Sequence, residues 1–171
     1  MLRILAVSGS TRSGSTNSAF CRTAAHLLPG VVAYDGLTRL PHFDPDRDGD
    51  TAPQAVVELR AAIGAADAVL FCTPEYAGTL PGALKNLLEW TVGSTVMTDK
   101  PVAWVRVAAD PRRGEGAHAT LATVLGYVQA RVVERACVHV PIDRAAVGRD
   151  GLVHDADVCR RIADVVPAVL A

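Results

Sequence analysis

Short apolar runs alternate with amphipathic segments along the chain, and this alternation predicts its secondary structure. In the amphipathic segments apolar residues recur every three or four positions, as Phe20, Ala24 and Leu27 do, which is typical of helices packed on one side. The apolar runs are continuous rather than alternating, which is typical of strands buried on both faces. The segments predicted as strands are residues 4–7, 31–34, 68–72, 102–108 and 136–140.

Strands that alternate with helices in this way predict an α/β fold of the flavodoxin-like type. In such a fold the strands form one parallel sheet, here expected in the order 2-1-3-4-5, and helices cover both faces to make a three-layer sandwich. Thr51 and Thr79 are predicted to cap the second and third helices, with Pro53 and Pro81 in the first turns. Residues 1–171 contain no linker-like segment, so we expect a single domain.

The loops that follow the first, third and fourth strands carry the candidate chemistry. The carboxyl ends of parallel strands meet at one edge of the sheet, where ligands bind in folds of this type. We therefore expect the loops at residues 8–17, 73–78 and 109–116 to converge on one crevice. The second loop contributes an aromatic ring and rigid prolines, and a flat ring system with a phosphate tail would suit such a crevice.

The loop after the first strand has the composition of an anion site. It reads Ser8-Gly9-Ser10-Thr11-Arg12-Ser13-Gly14-Ser15-Thr16-Asn17. Small residues let the backbone turn tightly and direct its N–H groups at one point, and the N-terminus of the next helix adds further donors. The hydroxyls of Ser10, Ser15 and Thr16 and the guanidinium of Arg12 can donate more hydrogen bonds to a phosphate. The simpler alternative is an ordinary turn that ends in a helix cap.

Two common nucleotide motifs are excluded at this loop. The motif G-x-x-x-x-G-K-[ST] needs a lysine where Ser15 stands, and the motif G-x-G-x-x-G needs a glycine where Thr11 stands. The third predicted strand also does not end in an acidic residue that would help to hold magnesium. A kinase or an ATPase is therefore a poor interpretation of the sequence.

Composition excludes other classes of protein. The formal net charge is −1, from 17 basic and 18 acidic residues, so there is no electrostatic reason to expect a nucleic acid or an anionic membrane as a partner. The first apolar run is too short for a signal peptide or a membrane span, and we expect a cytoplasmic protein. Cys21, Cys72, Cys137 and Cys159 form no C-x-x-C unit and are interpreted as small buried thiols.

Other polar residues are weaker candidates for a function. The Asp-x-Asp-x-Asp pattern at residues 44–48 starts like a calcium loop, but Ala55 stands where a bidentate glutamate is needed, so we interpret it as a solvated loop. Arg106 is unusual in an apolar strand, where a charge needs a partner. It lies either at the open end of the strand near the crevice or at a subunit interface. Among the histidines, His118 is the one expected near the crevice.

Three stretches of the chain are together typical of a known enzyme family. They are Gly9-Ser10-x-Arg12-x-x-Ser15-x-Asn17, Leu40-Pro41-x-Phe43-x-Pro45-Asp46 and Pro74-Glu75-Tyr76-x-Gly78-x-x-Pro81-Gly82-x-Leu84-Lys85-Asn86-x-x-Glu89-Trp90. With them the chain resembles the NADPH-dependent FMN reductases, whose relatives include quinone, chromate and azo-dye reductases. The resemblance is close in the first half of the chain and holds in outline for the rest.

The resemblance implies a flavin enzyme that takes electrons from NADPH or NADH. It would pass them through bound FMN to a small acceptor such as a quinone, an azo compound, a metal oxyanion or free flavin. The residues implied to hold the FMN phosphate are Ser10, Arg12, Ser15, Thr16 and Asn17. The residues implied to line the isoalloxazine ring are Pro74, Glu75, Tyr76, Ala77 and Gly78. No catalytic side chain is expected, because the cofactor carries the chemistry, and such enzymes usually form homodimers or homotetramers.

Two departures from the family pattern leave alternatives open. Ala77 stands where an asparagine is common, and residues 110–113 read Asp-Pro-Arg-Arg where Ser-Pro-Gly is usual. Asp110 near a flavin could repel the reduced, anionic form. Arg112 and Arg113 are candidates to meet the 2′-phosphate of NADPH, or are solvated loop residues. The alternatives to the enzyme are a flavodoxin-like electron carrier, against which the small net charge argues, and a relative that has lost flavin.

Overall fold

The computed structural model describes residues 2–49, 51–110 and 112–170, and it contains a parallel sheet with helices on both faces. The order across the sheet is β2-β1-β3-β4-β5, with β6 also paired to β4. The predicted flavodoxin-like sandwich and its strand order are therefore confirmed. The strands are β1 (Ile4–Ser8), β2 (Val31–Tyr34), β3 (Ala68–Cys72), β4 (Pro101–Arg106), β5 (Arg131–Val132) and β6 (Val138–His139).

Alternate residues of each central strand face two separate hydrophobic cores. In β1, Ile4 and Ala6 belong to the core covered by α1 and α5, whereas Leu5 and Val7 belong to the core covered by α2, α3 and α4. Because both faces are buried, these strands read as unbroken apolar runs. No helix within the described ranges has the length and apolar character needed to cross a membrane. The helices are α1 (Thr16–Leu27), α2 (Gln54–Gly64), α3 (Gly82–Glu89), α4 (Glu115–Tyr127) and α5 (Ala156–Val165).

The edge of the sheet beside β4 differs from the prediction. The sequence predicts one strand at residues 136–140. In the structure two short strands pair with this side of β4, β5 at residues 131–132 and β6 at residues 138–139. A 3-10 turn at Glu134–Ala136 separates them. Between Val132 and Val138 the edge advances six residues while its partner β4 advances three. The extra residues form the turn, so the edge strand is interrupted.

Two predicted helix caps are wrong. Thr51 lies outside α2, which has Pro53 at its N-cap, and Thr79 lies outside α3, which has Pro81 at its N-cap. Proline has no side-chain acceptor, so both helices begin without a side-chain cap. The Thr79 hydroxyl instead forms a hydrogen bond with the hydroxyl of Thr120 in α4 (2.8 Å).

The loop between β2 and α2 is fixed to α3 by residues of the family pattern. The Asn86 side chain accepts a hydrogen bond from the Phe43 N–H and donates one to the Pro41 carbonyl, each 2.8 Å long. The Trp90 indole N–H donates to the same carbonyl (2.8 Å). The ring of Phe43 meets Trp90 edge-on, with centroids 5.0 Å apart. These residues thus have a structural role, because they fix α3 relative to this loop.

Asp48 in the same loop is not solvated, so that part of the sequence interpretation is wrong. It forms an ion pair with Arg60 of α2, and the two side chains are only 12% and 15% exposed. Arg60 also donates from Nε to the Trp90 carbonyl (2.9 Å), which joins α2, α3 and the loop. In the part of the chain that the structure describes, His, Cys, Asp and Glu side chains form no group of three that could hold a metal ion.

Candidate functional site

A crevice of about 850 Å³ lies at the carboxyl ends of β1, β3, β4 and β6. Its volume is within the range of small-molecule sites, roughly 300 to 1,000 Å³. The predicted convergence of the loops after the first, third and fourth strands is confirmed, because all three loops line this crevice. The predicted site residues that line it are Ser10, Arg12, Ser15, Thr16, Asn17, Pro74, Glu75 and Tyr76.

The hydroxyl groups of the loop after β1 fold the loop itself. The Ser10 hydroxyl accepts a hydrogen bond from the Arg12 N–H (3.3 Å). The Ser15 hydroxyl accepts from the N–H groups of Asn17 (3.2 Å) and Ser18 (3.5 Å), and it thereby caps α1. The cap that the sequence offered as the simpler alternative is thus present. It occupies the Ser15 oxygen as an acceptor, and the Ser15 O–H can still donate to a ligand.

Four consecutive backbone amides at the end of this loop have no acceptor among the described residues. They belong to Ser13, Gly14, Ser15 and Thr16. The exposed side chain of Arg12 forms no hydrogen bond or ion pair within the same ranges. Free N–H groups at a helix N-terminus and a guanidinium are the donors that a phosphate accepts from. This donor set therefore fits the phosphate of FMN.

Asn17 lies deeper in the crevice and contacts β3. Its side-chain oxygen accepts from the Cys72 thiol (3.3 Å), and burial raises the pKa of that thiol well above its usual value. The thiol is therefore protonated at neutral pH and is no nucleophile. All four cysteines are free thiols, as expected, but only Cys21 and Cys72 are buried, while Cys137 and Cys159 are half-buried.

Glu75 joins the loop after β3 to the N-terminus of α4. Its Oε2 atom accepts hydrogen bonds from the N–H groups of Gly116 (2.8 Å) and Ala117 (3.2 Å). The N-cap of α4 is Gly114, which offers no side-chain acceptor, so Glu75 supplies acceptors and a negative charge at the positive end of the helix. A side chain at Gly116 would collide with the Gly78 carbonyl, so the loop and the helix meet at the backbone.

Tyr76, Ala77 and Gly78 form the exposed tip of the same loop. Tyr76 and Thr79 exchange two backbone hydrogen bonds of 3.1 Å, which close a tight turn. Ala77 and Gly78 in this turn have left-handed backbones, with φ of 51° and 76°. Tyr76 is 52% exposed and lines the crevice, whereas Ala77 and Gly78 do not line it. A contact between these two residues and a flavin stays a prediction.

Arg106 is the last residue of β4 and lines the crevice. Of the two placements considered from the sequence, the structure gives the one at the open end of the strand. β4 thus ends at Arg106, two residues before the predicted end of the strand at Ala108. The residue is half-buried, and its guanidinium pairs with no carboxylate in the described part of the chain.

The loop after β4 contains an ion pair of its own. The Asp110 carboxylate accepts from the backbone N–H, Nε and Nη2 of Arg112, at 3.0, 3.2 and 3.1 Å. These hydrogen bonds lower the pKa of Asp110 below its usual value. Asp110 and Arg113 line the crevice and Arg112 does not, while Pro111 lies outside the described residues. The negative charge that could repel a reduced flavin is thus paired with Arg112.

A fourth wall of the crevice, residues 142–144, was missed in the sequence. The N–H groups of Val140 and Ile142 donate to the carbonyls of Arg106 (2.8 Å) and Val107 (3.0 Å), and this pairing carries the segment along β4 to the crevice. The segment follows the last predicted strand. Its position was the available signal, because the carboxyl ends of parallel strands share one edge of the sheet.

His118 lies just behind the crevice wall, near Arg106 and Gly114. Its ring stacks on Trp104 with centroids 6.0 Å apart, and its Nε2 has no hydrogen-bond partner in the described protein. Burial, with a smaller contribution from the positive charge of Arg106, lowers the pKa of His118 to about 4 against opposing effects of Gly114 and Glu75. The imidazole is therefore neutral at pH 7.

A parallel sheet in the order 2-1-3-4-5, with a crevice at the carboxyl ends of its strands, defines a flavodoxin-like fold. A family model described as NADPH-dependent FMN reductase matches residues 2–145. The chain therefore belongs to this family, which confirms the resemblance seen in its sequence.

Individual proteins similar to this chain are named as reductases or flavoenzymes, in agreement with this family. The NAD(P)H-dependent FMN reductase of Pseudomonas aeruginosa is 40% identical over 91 residues, which are 52% of this chain and 49% of that protein. The chain thus spans about half the length of this relative. The 2-hydroxy-1,4-benzoquinone reductase of a Burkholderia species is 28% identical over 161 residues, which are 91% of this chain and 87% of that protein. The solved structure of FerB, a flavoenzyme NAD(P)H:(acceptor) oxidoreductase from Paracoccus denitrificans, matches with a TM-score of 0.83 and 26% identity, covering 99% and 96% of the two chains.

Replacing Glu75 should loosen the N-terminus of α4. We expect Glu75→Ala to lower the free energy of unfolding of the flavin-free protein by roughly 1 to 3 kcal/mol, because two helix N–H groups lose a charged acceptor. Glu75→Gln keeps an acceptor oxygen, so its free energy of unfolding should fall by less. Urea denaturation at pH 7 measures both, with Glu134→Ala as the control for loss of an exposed acidic side chain. Equal stability of Glu75→Ala and the wild type would contradict the role assigned to Glu75.

The buried His118 should make the protein less stable in acid. Its pKa is about 4 when folded and near 6.5 when unfolded, so the unfolded chain binds more protons between these pH values. Stability should therefore fall as the pH is lowered from 7 towards 4. His118→Phe keeps an aromatic ring against Trp104 and should weaken this dependence. Thermal melts at several pH values test it, with exposed His42→Phe as the control that should retain the dependence.

Proposed function

We propose that this chain is an NAD(P)H-dependent FMN reductase that passes electrons through bound FMN to a small acceptor. The observation that carries the proposal is the run of backbone amides at residues 13–16 that have no acceptor in the described part of the chain, together with Arg12, at the margin of a crevice of about 850 Å³. Family membership supports the same function. The relatives named as FMN and benzoquinone reductases support an acceptor of the quinone or flavin type.

The residues proposed to hold the FMN phosphate surround the start of α1. Their amides, hydroxyls and single guanidinium converge there, and the positive end of the helix favours a dianion. The isoalloxazine ring is proposed to lie along the loop after β3, where a rigid proline and an aromatic ring line the crevice. The proposed phosphate ligands are Ser10, Arg12, Ser15, Thr16 and Asn17. The proposed ring contacts are Pro74, Glu75, Tyr76, Ala77 and Gly78.

The side chains of the crevice bind and orient, and bound FMN would supply the electron-transfer chemistry. Glu75 serves this by fixing the loop after β3 to α4, with its Oε2 committed to two backbone N–H groups. The Cys72 thiol stays protonated and His118 stays neutral at pH 7. Neither residue is therefore proposed as a nucleophile or as an essential acid or base.

We further propose that the protein forms one domain, works in the cytoplasm and assembles as a homodimer or homotetramer. The four free thiols suit a reducing compartment. The exposed side chains of Val92 (65%) and Tyr127 (86%) offer apolar surface for an interface. Sedimentation velocity of the purified protein measures the assembly directly.

Purification tests the proposed function against its alternatives. We expect a yellow protein, or one that turns yellow with added FMN, whose absorbance bleaches with NADPH or NADH under nitrogen and returns with a quinone. A yellow protein that does not react with either nicotinamide would instead be an electron carrier. A protein that cannot be loaded with FMN would be a relative that has lost flavin.

Arg12 should contribute to FMN affinity through the phosphate. We expect Arg12→Ala to weaken FMN binding roughly ten- to a hundredfold, because a charge-assisted hydrogen bond contributes about 1.5 to 3 kcal/mol. Binding of riboflavin, which lacks the phosphate, should change much less. Fluorescence titrations of both ligands make the comparison, and Arg47→Ala removes an exposed arginine outside the crevice as the control. If Arg12→Ala binds FMN as the wild type does, Arg12 is not a phosphate ligand.

A further inference from the structure

The crevice carries a second group of basic side chains on the side of β4 and β6. Arg106, Arg113 and Arg144 line it there, and β3 separates β4 from β1 and its phosphate-binding loop. In the described ranges none of the three forms an ion pair with a carboxylate. This side of the crevice thus carries three arginines and two acidic residues, Asp110 and Asp143, and in the described part of the chain neither carboxylate pairs with any of the three arginines.

The acidic residues that line the same crevice have other partners than these three arginines. Glu75 accepts from two N–H groups of α4, and Asp110 accepts three hydrogen bonds from Arg112. Asp143 is exposed and accepts from the N–H of Ala145 (2.8 Å). The chain as a whole has a net charge of −1, so this local excess of arginine is not a property of its overall composition.

The backbone brings the three arginines to one side. The stem of Arg106 packs against Gly114, because a Cβ at Gly114 would lie 3.3 Å from its Cγ and Cδ atoms, and Arg113 immediately precedes this glycine. On the other flank, the N–H of Ile142 donates to the Val107 carbonyl (3.0 Å), which carries the chain towards Arg144. Arg106 as a residue is half-buried, and its guanidinium forms no hydrogen bond or ion pair within the described residues.

We propose that Arg106, Arg113 and Arg144 form a second anion subsite, distinct from the phosphate-binding loop after β1. The subsite binds an oxyanion group, a phosphate or a sulfonate, on the molecule that exchanges electrons with the flavin. This inference rests on the proposed function, since that function brings a second molecule into the crevice. The oxyanion has two possible sources, the 2′-phosphate of NADPH and an acidic group on the electron acceptor.

Equilibrium binding with matched probes distinguishes the two sources. The donor pair is 2′,5′-ADP and 5′-AMP, and the acceptor pair is 1,4-naphthoquinone-2-sulfonate and uncharged 1,4-naphthoquinone. Each probe is titrated calorimetrically into the FMN-loaded protein without a reductant, for Arg106→Gln, Arg113→Gln and Arg144→Gln. Arg135→Gln, in the exposed turn between β5 and β6, is the matched control.

We expect the wild type to prefer, in at least one pair, the member that carries the additional oxyanion group, which is the 2′-phosphate of 2′,5′-ADP or the sulfonate of the quinone. Each of the three substitutions should reduce that preference about tenfold, as the loss of one charge-assisted hydrogen bond does, and Arg135→Gln should leave it unchanged. A loss confined to the nucleotide pair identifies the donor as the source, and a loss confined to the quinone pair identifies the acceptor. Unchanged preferences in all three variants would overturn the proposal. Arg144 is exposed, so its variant is informative even if replacement of Arg106 disturbs folding.

Failure of this subsite is distinguishable from failure of the proposed function. A protein that cannot be loaded with FMN overturns the proposed function. The same titrations on flavin-free protein still decide whether the three arginines bind an oxyanion, because these arginines belong to the chain itself. A protein that is loaded with FMN and reacts with NADPH, but prefers neither the 2′-phosphate nor the sulfonate, overturns only the subsite.

Discussion

The site depends on four adjacent backbone amides, at Ser13 to Thr16, that have no acceptor within residues 2–49, 51–110 and 112–170. The side chains of the loop use their oxygens to fold it, with Ser10 and Ser15 accepting from the backbone. The unpaired N–H groups are thereby held at the positive end of α1, where an anion satisfies them at little reorganisation cost. A loop that is already folded does not have to be ordered by its ligand, which favours tight binding of a small phosphate-bearing molecule.

The second wall is made rigid by contacts that cross between elements. Glu75 joins the loop after β3 to α4, and the hydrogen bond between Thr79 and Thr120 makes a second connection between the same two parts. The close approach of Gly116 to the Gly78 carbonyl prevents the loop from moving towards the helix. The helix that follows this loop in the sequence is α3, and hydrogen bonds of Asn86 fix α3 to the loop after β2. The position of this wall of the crevice is therefore set by several independent contacts.

The sequence predicted the sheet and the position of the polar loop after β1 at the crevice because both depend on local patterns. Continuous apolar runs and a loop of small polar residues are visible without knowledge of tertiary contacts. The caps at Thr51 and Thr79 were wrong because Pro53 and Pro81 take the N-cap positions themselves. The role of Glu75 could not be found in this way, since its partners lie 41 and 42 residues away in the sequence. Such pairings are set by the packing of elements, which a single sequence does not reveal.

The charges of the crevice also bear on one departure from the family pattern, the loop after β4. Asp110 would bring a negative charge to a flavin site, but three hydrogen bonds from Arg112 pair that charge within the loop. Arg106 adds a positive charge at the end of β4, and the adjacent His118 is kept neutral by burial and by that charge. A reduced flavin is more negative than an oxidised one, so a crevice with a surplus of guanidinium groups favours the reduced state electrostatically. The unusual loop after β4 is thus compatible with a flavin. Its acidic residue, Asp110, is paired with Arg112, whereas Arg106, Arg113 and Arg144 have no carboxylate partner among the described residues.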